Sequence, residues 1–177
     1  MSATGTASSK SQNPAPTQPT VRLLMVCLGN ICRSPTAHGV MEKLISDRGL
    51  QALIEVDSAG TGNYHIGESP DSRAAAAAQN RGYDLSSQQA RQVTAQDFKA
   101  FDHIIAMDNS NLDNLRGGCP AEHQHKLKLL LEFSNSGRDE VPDPYWSGQD
   151  GFELVLDLVE DACGALLDSV AVDIRGR

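Results

Sequence analysis

The sequence predicts an α/β fold of three layers, a parallel sheet with helices on both faces. Three observations predict it. Short apolar runs alternate along the chain with segments whose apolar residues recur at helical spacing. The runs are near-continuous rather than alternating with polar residues, as strands covered on both faces require. The length of 177 residues, 40% of them apolar, suits one domain around a single core.

Residues 1–20, MSATGTASSKSQNPAPTQPT, hold no aromatic and no acidic residue. They cannot bury enough surface to offset the entropy of ordering, which predicts a disordered tail before a domain over residues 21–177. VRLLMVC at 21–27 reads as the first strand. Ala37, Val40, Met41, Leu44 and Ile45 then form one helical stripe, with Ser34-Pro35 as its start signal and Gly49 as its stop. IEVDSAG at 54–60 reads as the second strand, and residues 60–70 as a long loop. Helices are expected over 72–80, closed by Arg81-Gly82, and over about 94–100. DHIIAMD at 102–108 reads as the third strand, 109–116 as a short helix and 126–130 as the fourth strand. The final helix presents Phe152, Val155, Leu156, Val159, Cys163, Leu166, Leu167 and Val170 on one face.

The formal charge is −8, and the tail holds one of the 15 basic residues and none of the 23 acidic ones. Such a surface disfavours nucleic acid and anionic lipid, so an anion would have to be held by a local device. No run approaches a membrane span, and the N-terminus lacks a secretory or an Arg-rich transit pattern, which gives a cytoplasmic expectation. Four cysteines, Cys27, Cys32, Cys119 and Cys163, are too scattered for a disulfide scaffold or paired zinc knuckles, so neither a metal nor another cofactor is expected. Cys119 and Cys163 read as packing residues. Nothing marks a dedicated interface, which leaves a monomer as the expectation.

The informative segment is CLGNICRS at 27–34, at the carboxyl end of the first strand, where ligands of parallel α/β sheets sit. A strand, a Gly-containing turn and a helix N-terminus aim backbone N–H groups into one small space, which makes an anion site. The nucleotide-binding G-x-x-x-x-G-K-[ST] pattern is absent, and C-x5-R-S stands instead. A thiol attacks as thiolate, which a helix N-terminus and a fixed cation favour, so Cys27 is the candidate nucleophile. Arg33 offers a planar fork that matches two phosphate oxygens. Ser34 can hydrogen-bond the sulfur, Gly29 permits close approach, and Asn30 tolerates a left-handed turn.

These residues resemble the low-molecular-weight protein tyrosine phosphatases. The resemblance rests on VCLGNICRSP at 26–35, DSAGT at 57–61, IGESPDSRA at 66–74, FDHIIAMDNSNLDNL at 101–115 and VPDPY at 141–145. It implies a four-stranded parallel sheet of order 2-1-3-4 and metal-free hydrolysis of phosphotyrosine, in a protein or a small aryl phosphate, through a phosphocysteine. It implies Cys27 as nucleophile, Arg33 as phosphate clamp and Asp143 as general acid. Leu28, Gly29, Asn30, Ile31, Cys32 and Ser34 would complete the phosphate loop, with Ser58 holding Asn30 in place. In-line displacement needs a proton donor opposite the thiolate, and an Asp braced by Pro142 and Pro144 is a suitable one. Tyr64, Tyr145 and Trp146 are the expected cleft walls, where an aromatic leaving group could stack. Two are departures: Tyr64 falls where relatives often carry tryptophan, and Trp146 where tyrosine is common. Cys32 lies five residues from Cys27, and a reversible disulfide between them is a further expectation, which the resemblance also implies. Two rivals are an arsenate reductase of the same fold, whose thioredoxin-linked versions carry a further close cysteine pair, and a phosphotyrosine-binding module without catalysis, which would lack nucleophile or acid.

Overall fold

A computed structural model of the chain describes residues 19–177. The expected tail therefore lies outside the described residues apart from Pro19 and Thr20. Thr20 donates its N–H to Leu53 O at 2.8 Å, so pairing beside the second strand begins one residue before the first.

Four strands, β1 (Val21–Cys27), β2 (Ile54–Gly60), β3 (His103–Ala106) and β4 (Leu127–Leu129), form one sheet in the order β2-β1-β3-β4. All three pairings are parallel, with Cys27 opposite Gly60 and Val26 opposite Ala106. β1 shows why its run is continuously apolar. Leu23, Met25 and Cys27 pack into one core layer while Leu24 and Val26 pack into the other, because successive side chains of a strand point to opposite faces. The first layer is closed by helices α1 (Arg33–Asp47), α2 (Ser72–Asn80) and α5 (Gln149–Arg175). The second is closed by α3 (Ala95–Ala100) and α4 (Asn109–Gly118).

Differences from the sequence expectation are confined to boundaries. The third strand ends at Ala106, because Asp108 turns to cap α4, its carboxylate accepting from Asn111 N at 2.7 Å. The fourth strand is three residues long, flanked by 3₁₀ turns at Ala121–Lys126 and Leu130–Phe133 that the apolar pattern does not signal. The apolar face of α5 is wider than the expected stripe, since Leu158, Ala162 and Ala171 are buried with it.

Candidate active site

β1 ends at Cys27 and α1 begins at Arg33, so residues 28–32 must turn the chain at the carboxyl edge of the sheet. The loop carbonyls point outward into the segment after β2. Thr61 N donates to Cys27 O at 2.9 Å, Gly62 N to Leu28 O at 2.9 Å and Asp71 N to Ile31 O at 2.8 Å. The N–H groups of residues 28–33 donate to no protein acceptor among the described residues. α1 has no side-chain cap and no acidic residue in its first turn, so nothing there neutralises the positive end of its dipole. The result is a concave row of donors suited to an anion.

Asn30 holds this shape. Its φ of 55° is the one positive value among non-glycine described residues. Its amide donates to Ser34 Oγ at 2.8 Å and Ser58 Oγ at 3.0 Å, and its carbonyl oxygen accepts from Arg91 N at 3.0 Å. The φ that costs most residues about 1 kcal/mol or more is thus offset by three hydrogen bonds, two of them buried. Gly60 is required from the other side, because a Cβ there would stand 2.7 Å from Leu28 O and 3.2 Å from Asn30 N.

Cys27 and Arg33 are buried at the bottom of a cleft of about 400 Å³. Cys27 Sγ lies 3.0 Å from Ser34 Oγ. Arg33 Nη1 donates to Asp108 Oδ2 at 2.6 Å and to Val141 O at 3.0 Å, and Nη2 stands 3.7 Å from Asp143 Oδ2. Burial works against the Arg33 charge, but Cys27, Asp108 and Asp143 together outweigh it, and its pKa is raised. The guanidinium is therefore a fixed cation in the same cleft as Cys27. Asp143 sits higher, its side chain half-exposed, with Oδ1 accepting from Tyr145 N at 3.0 Å. Tyr64, Tyr145 and Trp146 stand around the mouth with Leu28, Gly29, Ile31 and Cys32. Tyr145 and Trp146 meet edge-to-face at 4.9 Å. Burial pushes the Cys32 thiol up to about 12, with Asp71 and then Cys27 adding to the effect. Among the described residues no group of three His, Cys, Asp or Glu side chains converges as metal ligands.

Ten of the site residues expected from the sequence line one cleft, and the other three, Asn30, Ser34 and Ser58, are buried and joined to it through hydrogen bonds to Cys27 and to one another. Four further residues join the site without having been expected, His65 in the cleft wall and three others through bonds to its residues. Asp108 anchors Arg33, and the only sequence signal for it is an Asp before a helical segment, which marks its capping oxygen but not its other one. Arg91 supports Asn30 through its N–H while its guanidinium bridges Asp57 and Asp97. His38 reaches Ser58 Oγ at 3.2 Å through Nδ1. His65 lines the cleft and pairs with Glu68 at 2.6 Å, its ring against Gly29, where a Cβ would meet Cδ2 at 3.0 Å. No local pattern marks Arg91, His38 or His65, since their partners lie on other elements or in an irregular loop.

Known proteins resemble this chain over nearly all of its described residues. The family model for low molecular weight phosphotyrosine protein phosphatase matches residues 22–175. A Synechocystis protein is 48% identical over 156 residues, spanning 87% of this chain and 99% of its own. The low molecular weight protein-tyrosine-phosphatase of Streptomyces coelicolor is 42% identical over 162 residues, spanning 89% and 98%. Among solved structures, a protein tyrosine phosphatase of Entamoeba histolytica with Hepes in its active site superposes with a TM-score of 0.84 at 43% identity, covering 86% of this chain and 98% of that one. With the family model spanning nearly the whole described chain and relatives of this similarity along their full length, the chain belongs to the low molecular weight phosphotyrosine protein phosphatase family.

Proposed function

We propose that this protein hydrolyses phosphotyrosine, in proteins or small aryl phosphates, through a phosphocysteine. The observation that carries the reading is the convergence of three groups on one cleft: the Cys27 thiol against Ser34, the buried Arg33 fork held by Asp108, and the half-exposed Asp143 carboxyl 3.7 Å from that fork. The phosphate rests on the N–H groups of residues 28–33, with two of its oxygens on Arg33. The Cys27 thiolate attacks phosphorus as the bond to the aryl oxygen breaks, and the Asp143 carboxyl gives its proton to that oxygen. Water then attacks the thiophosphate, Asp143 takes its proton, and the P–S bond breaks to return the thiolate, which Ser34 hydrogen-bonds. The products are a phenol and inorganic phosphate. Tyr64, Tyr145 and Trp146 flank the aryl ring in transit.

The reversible Cys27–Cys32 disulfide belongs to the same reading. Peroxide would oxidise Cys27 to a sulfenic acid, and the Cys32 thiol would displace water to form the bond. Peptide mapping after mild peroxide should recover that disulfide, and over-oxidised Cys27 beside free Cys32 would exclude it. Reduction of arsenate finds less support. Cys119 packs in one core layer and Cys163 in the other, with the sheet between them, so they form no relay pair.

The test is hydrolysis of an aryl phosphate without added metal. Cys27→Ser should abolish turnover, and Asp143→Asn should lower kcat by about 10²- to 10⁴-fold. Turnover retained in Cys27→Ser would end the covalent mechanism.

A further inference from the structure

Beside the catalytic cleft lies a second cavity of about 430 Å³ that the chemistry above leaves without a role. Ala76 and Ala77 of α2 and Phe152 of α5 line it with apolar surface, and Arg73, Ser147 and Gln149 edge it. It shares a wall with the cleft. The Arg73 guanidinium carbon lies 5.5 Å from the centre of the Tyr145 ring, which lines the cleft, and 4.9 Å from the centre of the Phe152 ring, which lines the cavity. The two rings are therefore at most roughly 10 Å apart, the distance an extended peptide covers in about three residues.

The rim of the catalytic cleft is unusually apolar for so acidic a chain. Six large apolar side chains are exposed among the described residues, and three of them, Leu28, Tyr64 and Trp146, line the cleft. Trp146, the sequence's single tryptophan, is 91% exposed. An aryl ring flanked by Tyr64, Tyr145 and Trp146 is too small to cover all of this surface, whereas a polypeptide can. Its flanks would not be acidic. Arg73, the cation at the cavity edge, is already paired with Asp71 at 2.9 Å, Asp150 lies in the first turn of α5, and the chain carries −8 overall.

We propose that this cavity is a second substrate subsite, which receives a large apolar side chain two or three residues from the phosphotyrosine of a protein substrate. The proposal rests on the phosphotyrosine reading and adds a selectivity to it. Tyr145 and Arg73 form the saddle over which the peptide passes, Trp146 covers its backbone, and the apolar side chain descends onto Ala76, Ala77 and Phe152. Because Ala76 and Gln149 are exposed, on α2 and α5 respectively, each can carry a larger side chain into the cavity without disturbing the core.

The experiment compares kcat/KM for free phosphotyrosine and for a set of phosphotyrosine peptides. In each peptide a single Leu replaces Ser at position −3, −2, +2 or +3. Leu at one of these positions should raise kcat/KM by about tenfold or more, as a filled apolar pocket does. Ala76→Leu and, independently, Gln149→Phe should erase that gain, measured relative to free phosphotyrosine in the same variant. Ala76→Ser, which leaves the cavity open, should keep it. A wild-type enzyme that turns over free phosphotyrosine but treats all the peptides within twofold of each other overturns the subsite alone. So does a gain that survives both filling variants. No turnover of free phosphotyrosine would overturn the underlying reading, and the subsite with it.

Discussion

The two halves of the catalytic cleft are built differently. In the phosphate loop Cys27, Asn30, Arg33 and Ser34 are each at most 3% exposed. They are tied to one another, to Ser58 and Asp108, and to Arg91 N by bonds of 2.6–3.0 Å. The segment bearing Asp143 is held mainly at its ends. Val141 is fully buried, with its N–H on Met107 O and its carbonyl on Arg33, while Ser147 N closes a turn onto Pro144 O and packs against Gly151. Between them Asp143 and Trp146 face solvent. A group that binds a compact dianion of fixed shape gains from pre-organisation. A group that protonates leaving groups of varied size tolerates a looser mount. The comparison predicts that damage to the loop costs stability and phosphate affinity together, while damage to the acid segment costs turnover alone.

The largest break comes at Asn30. Asn30→Ala removes three hydrogen bonds, two of them buried, and puts at positive φ a residue without the short polar side chain that tolerates it, which should cost about 3 kcal/mol in urea unfolding. Inorganic phosphate should weaken as a competitive inhibitor at the same time. Asn30→Gly accepts the backbone and loses only the bonds, so the difference between the two variants isolates the conformational part.

Next is Asp108→Asn, which leaves the buried Arg33 charge with a neutral partner. The pair is at 2.6 Å with Asp108 partly solvated, so a loss of about 2 kcal/mol is expected, below that of a fully buried pair. Phosphate inhibition should weaken here as well. Unchanged inhibition would show that Arg33 keeps its position without the carboxylate.

Gly151→Ala sharpens the other half. A Cβ at this position would stand 2.4 Å from Ser147 Cβ and 2.9 Å from its Oγ, so the Pro144–Ser147 turn that follows Asp143 must shift. Displacement of that order should lower kcat by about 10- to 100-fold while phosphate inhibition holds. Loss of both would mean that the two halves move as one.

The smallest effect concerns the support beneath the loop. Burial holds the pKa of His38 below its ordinary 6.5, with Glu42 and Asp57 opposing the shift, and His103 is lowered by the same cause. The unfolded chain therefore binds more protons than the folded one just below pH 6.5. This share of stability is complete above that pH and is lost as pH falls toward the folded values. His38→Gln should flatten the slope in part, the remainder belonging to His103, as chemical unfolding at a series of pH values would show.

How much of this was legible beforehand follows from what is local. β1, α1, α2 and the face of α5 carry their own periodicity and stop signals, and they appear within a residue or so of where the residues place them, although α1 starts at Arg33 behind an uncapped Cys32 rather than at Ser34. β4 and its flanking 3₁₀ turns do not, because three residues are too few to show a period. The phosphate loop is contiguous, so its chemistry could be read from eight residues. Asp143 is 110 positions from Arg33, and only the family resemblance joined the two.

The sequence by itself determined the α/β layering and the donor-lined turn between Cys27 and Arg33, because strand and helix periods, glycine and a helix N-terminus act over a few residues. Tertiary structure alone decided that Asp108 would brace Arg33, that Arg91 and His38 would brace the loop through Asn30 and Ser58, and that a second cavity would open behind Tyr145. Each of these depends on side chains brought from different elements of the fold. Their meeting is set by the parallel crossovers and the packing of α2 and α5, which no local pattern encodes.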